Sequence, residues 1–234
     1  MMKLTTQFAL AVFPSEVWEA MRNEWPLTKL RLRNRLLPSR RAKADALRQM
    51  RGIKLHLGCG KRVMPGWTNI DCFAAEGIAF ECDFREPLPF ADGAVTMLYS
   101  EHVLEHMREH EAQALLRELH RVTALGGKIR LGMPDAELFI RAYVNEDWAF
   151  FNQAKNIGSP ARPLDTRMKI INQMARMGGH HHFAWDYETL HLALEQAGFK
   201  NVVKGTAGAS SHEGLCLDDP SHAFETLYAE AVKG

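Results

Sequence analysis

The chain has 234 residues, of which 46% are hydrophobic and 24% charged, with 29 Lys and Arg against 28 Asp and Glu. This composition is that of an ordinary soluble globular protein, and the length suits one compact domain, so fibrous and disordered classes are excluded. Because the net charge is close to zero, the whole molecule has no electrostatic preference for nucleic acid or an anionic membrane, and neither is expected as a partner.

Targeting signals and cysteine chemistry point to a cytoplasmic protein. The four cysteines form no Cys-X-X-Cys pair or zinc ribbon, a pattern typical of a reducing compartment. A short apolar run at 8–13 ends at Pro14 and is followed by Glu16 and Glu19 instead of a small-residue cleavage site, so we expect it to belong to the folded structure. No run approaches the roughly 20 apolar residues that a membrane span needs.

Residues 1–51 differ from the rest and are predicted to form an N-terminal helical appendage to a domain at 52–234. Ser15 and the acids after it favour a helix start, and a basic stretch surrounds Pro38. The basic residues are Arg31, Arg33, Arg35, Arg40, Arg41, Lys43, Arg48 and Arg51. They form either the solvated face of a helical lid, which is favoured, or an electrostatic clamp for a phosphorylated or acidic substrate.

From residue 53 onward, short apolar runs are separated by Gly, Pro and Asp, which is typical of buried parallel strands alternating with helices. Strands are predicted at 53–57, 68–70, 79–82, 95–99 and 128–133. Helical spacing follows at 103–106 and 112–122, and Gly126 with Gly127 is expected to end the second helix. The pattern therefore predicts an α/β fold.

The last hundred residues complete this sheet. Residues 136–185 lack strand alternation and are predicted to form a helical insertion that shapes a substrate pocket. A helix is expected at 187–197, with Asp186 as its N-cap and Gly198 as its stop. Runs at 201–203 and 226–232 supply the last two strands as an antiparallel hairpin at the sheet edge.

Glycines and acids follow successive predicted strands. Gly58 and Gly60 come after the first strand, where missing side chains let a ligand approach the backbone. Asp71 follows the second strand and Asp83 the third, at the edge where ligands of open α/β sheets bind. A carboxylate there suits ribose hydroxyls or an adenine amino group. Either aspartate alone is more typical of a turn or cap, but in series behind the glycine pair they favour a nucleoside ligand.

These strand-end residues and several short motifs occur in an order that resembles one family, the class I S-adenosylmethionine-dependent methyltransferases. The resemblance covers residues 53–234 and implies a three-layer Rossmann-like sheet, mostly parallel with an antiparallel last strand. It is carried by Leu-Gly-Cys-Gly at 57–60, Pro-Gly-Trp-X-Asn-X-Asp at 65–71, Asp83 before Leu-Pro-Phe at 88–90, Ser-Glu-His-Val-Leu-Glu-His at 100–106, Glu-Leu-His-Arg-Val at 118–122, Met-Pro-Asp at 133–135 and Ala-Gly-Phe at 197–199.

The resemblance implies S-adenosylmethionine as cofactor and S-adenosylhomocysteine as product. The implied contacts are Leu57, Gly58, Cys59 and Gly60 for the methionine part, Asp71 for the ribose, Asp83 with the Phe84 backbone for the adenine, and Ser100 with Glu101 for the sulfonium. Two features depart from the family pattern. Arg62 replaces the usual third glycine, and only eleven positions separate Gly60 from Asp71, too few for a full-length first helix.

Two alternatives to a methyltransferase stay open. A non-catalytic domain that binds the cofactor or its product would keep both aspartates yet lack a reachable acceptor pocket. An NAD-dependent oxidoreductase is the minor alternative, because the chain has no Gly-X-Gly-X-X-Gly and little room for a phosphate-binding helix start before Pro65.

Methyl transfer needs alignment of the nucleophile with the methyl group, and a base where the acceptor is a hydroxyl or a protonated amine. His102, directly after the fourth strand, is the candidate base, with a pocket-wall or capping histidine as the alternative. Asp135 and either His182 or His181 are candidate substrate contacts. The expected acceptor is an oxygen or nitrogen of a small molecule or glycan-type metabolite. The oligomeric state stays open, and a homodimer fits.

A metal site is weighed and not expected. His102, Glu105 and His106 have the spacing i, i+3, i+4, which places three potential ligands on one helix face. They resemble the Glu-X-X-Glu-His run of some magnesium-binding methyltransferases, but magnesium prefers oxygen ligands, so a histidine in the first position fits poorly. Helix capping and packing is the favoured role. The three histidines at 180–182 cannot all chelate one ion if extended, because neighbouring side chains then point to opposite faces.

Overall fold

The computed structural model describes residues 15–156 and 163–234, so the apolar run at 8–13 lies outside the described residues. Its helices are α1 Ser15–Leu36, α2 Pro38–Gln49, α3 Glu109–Val122, α4 Ala136–Val144, α5 Trp148–Ala154, α6 Arg167–Arg176 and α7 Tyr187–Ala197, with 3-10 helices at Leu104–His106 and Met177–Gly179. Within the described part, no helix combines the length and apolar character needed to cross a membrane.

Within the described residues, seven strands form one sheet. They are β1 Ile53–Leu57, β2 Thr68–Asp71, β3 Phe80–Glu81, β4 Val95–Glu101, β5 Thr123–Pro134, β6 Phe199–Gly205 and β7 Thr226–Lys233. Their spatial order is β3-β2-β1-β4-β5-β7-β6. The first five are parallel, and β7 lies antiparallel between β5 and β6. Helices flank the sheet, which confirms the predicted Rossmann-like α/β class with its antiparallel last strand, N-terminal helices and helical insertion.

The predicted stop at Gly126 and Gly127 is wrong. Helix α3 ends at Val122, and the Thr123 hydroxyl donates to the Leu119 carbonyl at 2.7 Å. The glycines lie inside β5, where Thr123 pairs with Val95 and Lys128 pairs with Met97, so the residues between them loop out of register. Gly126, with φ +72°, provides the turn that this bulge requires.

The connection from β1 to β2, residues 58–67, contains no helix, which confirms the expected shortening. The Asn69 side chain holds it: Oδ1 accepts from the Met64 amide at 2.9 Å, and Nδ2 donates to the carbonyls of Met64 and Trp67 at 3.0 Å each. Asn69 Oδ1 also lies 3.0 Å from His56 Nδ1. Burial lowers the pKa of His56 to about 4, so the neutral ring donates to this oxygen.

The long β6–β7 connection, residues 206–225, packs over the same region. Leu215 is fully buried against Met64 and Tyr99. Arg62 donates to the carbonyl oxygens of Leu217 and Asp218. A distant part of the chain therefore fills the space left by the short first connection.

A buried ion cluster anchors this connection. Arg130, on β5, has no exposed side-chain surface and pairs with Asp218 at 2.5 Å and Glu230 at 2.7 Å. Its guanidinium also donates to the Thr206 carbonyl at 2.9 Å and lies 4.4 Å from the centroid of the Tyr228 ring. Although burial opposes the charge, the two carboxylates raise the pKa of Arg130, so it stays protonated.

The N-terminal helices cover the β3 edge of the sheet. Arg33 and Arg40 pair with the Glu81 carboxylate at 2.8 and 2.6 Å. Asn34 and Arg40 also donate to the Glu81 backbone carbonyl, at 2.8 and 3.0 Å, and so satisfy an edge-strand acceptor. The prediction of a solvated face is wrong for Arg40, whose side chain is 15% exposed, whereas Arg33 stays 42% exposed, and both arginines share the one carboxylate of Glu81.

We predict that Arg130→Ala destabilises the protein by about 3–5 kcal/mol, because it leaves two buried carboxylates without their cation. Urea unfolding measures this change in the free energy of unfolding. The control is Arg141→Ala, which removes an ion pair with Glu137 from a side chain that is 71% exposed. It should change stability by less than about 1 kcal/mol. Equal effects of the two variants would contradict the assigned role of the buried cluster.

Candidate active site

The carboxyl end of β1 carries the predicted methionine-binding loop. Leu57 and Cys59 are buried, and burial raises the pKa of the Cys59 thiol to about 11. Gly58 and Gly60 both have positive φ, +72° and +51°. A Cβ on Gly58 would lie 2.1 Å from Val103 Cγ2, whereas one on Gly60 would meet nothing within 4 Å. Glycine is therefore required at 58 for packing, and Gly60 leaves open backbone at the edge.

Asp71 lies at the end of β2 beside this loop, and its side chain is buried. Its Oδ2 accepts from the Gly60 amide at 2.8 Å, and its Oδ1 accepts from the Phe73 amide at 2.9 Å. A carboxylate oxygen has two acceptor positions. Among the described residues each oxygen makes one such bond, so one acceptor position on each remains for a ligand.

Asp83, which follows β3, accepts more hydrogen bonds than Asp71 does. Its Oδ1 accepts from the Arg85 amide at 3.0 Å and from Arg85 Nε at 3.1 Å. Its Oδ2 accepts from Arg31 Nε at 2.7 Å and from Arg85 Nη2 at 3.0 Å. Burial opposes ionisation of Asp83, but these two arginines hold the pKa of the carboxyl below its usual range. Its acceptor positions are filled, so the predicted adenine contact requires a donor to leave.

The side chain of Glu101, at the end of β4, contacts residues of several elements, including β7 and the β6–β7 connection. Its carboxylate accepts from the hydroxyls of Tyr99 and Tyr228 and from the Asp219 amide at 3.3 Å, and Arg62 lies 3.4 Å away. Glu101 therefore helps to anchor this connection. Ser100, one residue earlier, is buried, as is Phe84 near Gly58.

His102 follows β4 in a left-handed conformation with φ +55°, which is uncommon for a residue with a side chain and is typical of functional sites. Its Nδ1 lies 2.9 Å from Glu105 Oε1, and its Nε2 lies 3.3 Å from the Thr226 hydroxyl. Burial opposes the imidazolium, but the hydrogen bond and charge of Glu105 raise the pKa of His102 above its usual range. His102, whose side chain is 25% exposed, and the buried Glu105 form a histidine–carboxylate pair.

A second pair, which the sequence reasoning missed, faces the first. His222 Nδ1 lies 2.9 Å from Glu225 Oε1, and the rings of His102 and His222 are 4.9 Å apart between centroids. Glu225 is 1% exposed. The available signal was a repeated His-X-X-Glu spacing, since both pairs are separated by three positions.

The candidate substrate contacts have different surroundings. Asp135 is buried and caps α4, accepting from the amides of Glu137 and Leu138 at 3.0 and 3.4 Å, and burial raises its pKa. His182 is exposed, and its backbone amide donates to the Glu105 carbonyl at 2.8 Å. His181 is buried instead.

The expected helical face of His102, Glu105 and His106 is wrong. The 3-10 helix begins at Leu104, so His102 lies outside it, and its ring points to Glu105 and Thr226. Because the backbone at His102 is left-handed, His102 is not part of the helix and does not share a helical face with Glu105 and His106.

No curated protein matches this sequence, but the fold has likenesses among solved structures. A methyltransferase of Thermotoga maritima, described as a possible histamine N-methyltransferase, is 15% identical over 94% of each chain, with a TM-score of 0.43. One from Mesorhizobium loti is 17% identical over 84% of this chain and 98% of its own, with a TM-score of 0.44. A chain from Nostoc punctiforme, described as a possible O-methyltransferase, is 10% identical over 66% of the present chain, with a TM-score of 0.40. The matched region spans only 36% of the Nostoc chain.

The sequence itself carries a family match. Residues 70–131, from β2 into β5, match the family model described as a methyltransferase domain. The matched segment includes Asp71, Asp83 and His102. The match covers about a quarter of the chain and shows a likeness to methyltransferase domains over that segment.

Proposed function

We propose that the protein binds S-adenosylmethionine at the carboxyl ends of β1 and β2 and transfers its methyl group to an oxygen or nitrogen of a small-molecule or glycan-type acceptor. The observation that carries this proposal is the state of Asp71. Its buried carboxylate keeps an acceptor position on each oxygen, which suits the paired hydroxyls of a ribose. Gly58 and Gly60, beside it, suit the methionine part.

Adenine recognition at Asp83 fits this proposal if Arg31 withdraws. Arg85 is two residues away and is held by local geometry, whereas Arg31 reaches Asp83 from α1 and its side chain is 28% exposed. An adenine amino group donates one hydrogen bond to the position that Arg31 Nε occupies. We therefore assign Arg31 as the donor that adenine replaces.

His102 is the residue that we assign to proton transfer. When bound, S-adenosylmethionine supplies an electrophilic methyl group on its sulfonium. Glu105 orients the His102 ring through Nδ1, as carboxylates orient catalytic histidines in other enzymes. The Thr226 hydroxyl donates to the His222 carbonyl at 2.8 Å, so in the resting structure it accepts from Nε2, which must release that proton before it acts as a base. Nε2 would then take the proton that the acceptor atom loses, while the bond from the methyl carbon to sulfur breaks and its electrons stay on S-adenosylhomocysteine. His222 and Thr226 lie on the same side of His102 and would contact the acceptor.

Calorimetric titration with S-adenosylmethionine, S-adenosylhomocysteine and NADH tests the proposal, followed by an acceptor screen that measures S-adenosylhomocysteine release. We expect binding of the first two compounds, no binding of NADH, and turnover with an acceptor that carries a hydroxyl or amine. Absence of binding to both sulfur compounds would reject the cofactor assignment. Binding without turnover across the screen would instead favour the non-catalytic alternative.

We predict that Asp71→Asn weakens S-adenosylhomocysteine binding about 10- to 100-fold, because hydrogen bonds to a charged group contribute about 1.5–3 kcal/mol. Isothermal titration measures the dissociation constant. Asp45→Asn is the control, since Asp45 lies on α2 with a 65% exposed side chain paired to Arg48. Unchanged affinity in Asp71→Asn would remove the ribose assignment.

Arg31→Ala should tighten S-adenosylhomocysteine binding several-fold, because adenine then meets an Asp83 oxygen with a free acceptor position. The same titration measures this, with Arg48→Ala, at an exposed position of α2, as the control. Weaker binding in Arg31→Ala would show that Arg31 supports the ligand instead of competing with it.

His102→Gln should lower turnover about 10²- to 10⁴-fold, the usual contribution of a positioned general base, while S-adenosylhomocysteine affinity changes less than about threefold. Steady-state kinetics with the acceptor found in the screen gives the turnover, and calorimetry gives the affinity. His110→Gln, at an exposed position on α3, should match the unmodified protein. A loss of affinity in His102→Gln as large as its loss of turnover would contradict the assignment.

A further inference from the structure

Three side chains, one of which is the Glu105 that pairs with His102, lie close together. Glu105 and His106 come from the 3-10 helix Leu104–His106, and His181 comes from the segment after Met177–Gly179. One nitrogen or carboxylate oxygen of each lies within 4.8 Å of the other two. Backbone bonds from the amides of His182 and Phe183 to the Glu105 carbonyl, at 2.8 and 3.4 Å, hold the two segments together.

Hydrogen bonding sets both histidines in the same tautomer. His181 Nδ1 lies 2.5 Å from the Met174 carbonyl, and His106 Nδ1 lies 3.1 Å from the His180 carbonyl. A carbonyl oxygen only accepts, so both Nδ1 atoms carry hydrogen and both Nε2 atoms present a lone pair when the rings are neutral. Metal-binding histidines are typically oriented in this way, by a backbone carbonyl on the other ring nitrogen.

The carboxylate of Glu105 supplies an independent observation. Its Oε1 binds His102 Nδ1, but among the described residues its Oε2 has no hydrogen-bond partner, although Glu105 is 2% exposed. A buried carboxylate oxygen without a partner is unfavourable, because it has lost its hydration without a replacement. A cation beside Oε2 would supply the missing interaction.

We propose that Glu105, His106 and His181 bind one divalent transition-metal ion, with zinc as its representative. Two imidazole nitrogens and one carboxylate oxygen suit zinc and poorly suit magnesium or calcium, which prefer oxygen. Tetrahedral zinc with bonds of about 2.0–2.1 Å places its ligand atoms roughly 3.4 Å apart, so groups that lie within 4.8 Å of one another must close in by up to about 1.4 Å. His106 is exposed, which leaves it room to move and leaves a fourth position for water.

This site differs from the weighed set of His102, Glu105 and His106, because His181 takes the place of His102. It joins the end of the helical insertion to the segment after β4. Since the opposite oxygen of Glu105 holds His102, the ion would fix the carboxylate that orients this ring. The metal would therefore position His102 indirectly, through Glu105, and would not contact the candidate active site itself.

Zinc titration of chelator-treated protein tests the proposal, with calorimetry for stoichiometry and affinity and thermal unfolding for stabilisation. A Cys216→Ser background removes an exposed thiol that also binds zinc. We expect one equivalent of zinc, a raised Tm, and no comparable effect of magnesium. His181→Ala should weaken zinc binding at least about tenfold, since loss of even an outer hydrogen-bond partner of a metal ligand lowers affinity about 10- to 100-fold.

His180→Ala is the matched control, because its exposed ring lies one residue from His181 and outside the cluster, and it should bind zinc normally. His106→Ala repeats the test at an exposed ligand whose loss should not impair folding. Absence of a one-to-one zinc complex would overturn the proposal, as would equal effects of His180→Ala and His181→Ala. Neither readout needs S-adenosylmethionine, so these results are separate from the methyltransferase assignment.

Discussion

The short β1–β2 connection constrains much of this structure. Parallel neighbours are usually joined by a dozen or more residues that include a helix, whereas here residues 58–67 make the crossing without one. Asn69 compensates by satisfying the backbone of the connection, and this explains an asparagine two positions before Asp71. The space that a first helix would fill is left to another part of the chain.

The β6–β7 connection fills that space, and its position has consequences for the candidate site. Arg130 holds it through Asp218, and Glu101 holds it through the Asp219 amide. Its final residues then place His222 beside His102 at the end of the sheet where the cofactor is proposed to bind. The candidate acceptor side is therefore built from residues after β4 and from the last loop of the chain, 120 positions apart in sequence.

Local signals in the sequence were sufficient for most elements. Asp186 caps α7 and Gly198 ends it, because each role depends only on nearby backbone groups. The glycine pair at 126 and 127 misled for the opposite reason: whether glycine ends a helix or turns within a strand depends on the pairing of β5 with β4.

The candidate site was predictable where it follows strand ends and not where distant segments meet. The position of Asp71 at the end of β2 beside Gly60 was predictable, because acids that follow neighbouring parallel strands meet at one edge of the sheet. The engagement of Asp83 by Arg31 depends on how α1 docks, which no spacing in the sequence encodes. In the same way, the sequence does not show which of the neighbouring histidines is buried. In the structure His181 turns inward after the helical insertion, and His182 stays exposed.

A crystal structure of the complex with S-adenosylhomocysteine tests the central claim most directly. The account predicts ribose hydroxyls on the two oxygens of Asp71, the homocysteine part beside Gly58 and Gly60, and the adenine amino group on Asp83 in place of Arg31. A nucleoside bound away from Asp71, or no complex at saturating ligand, would contradict it.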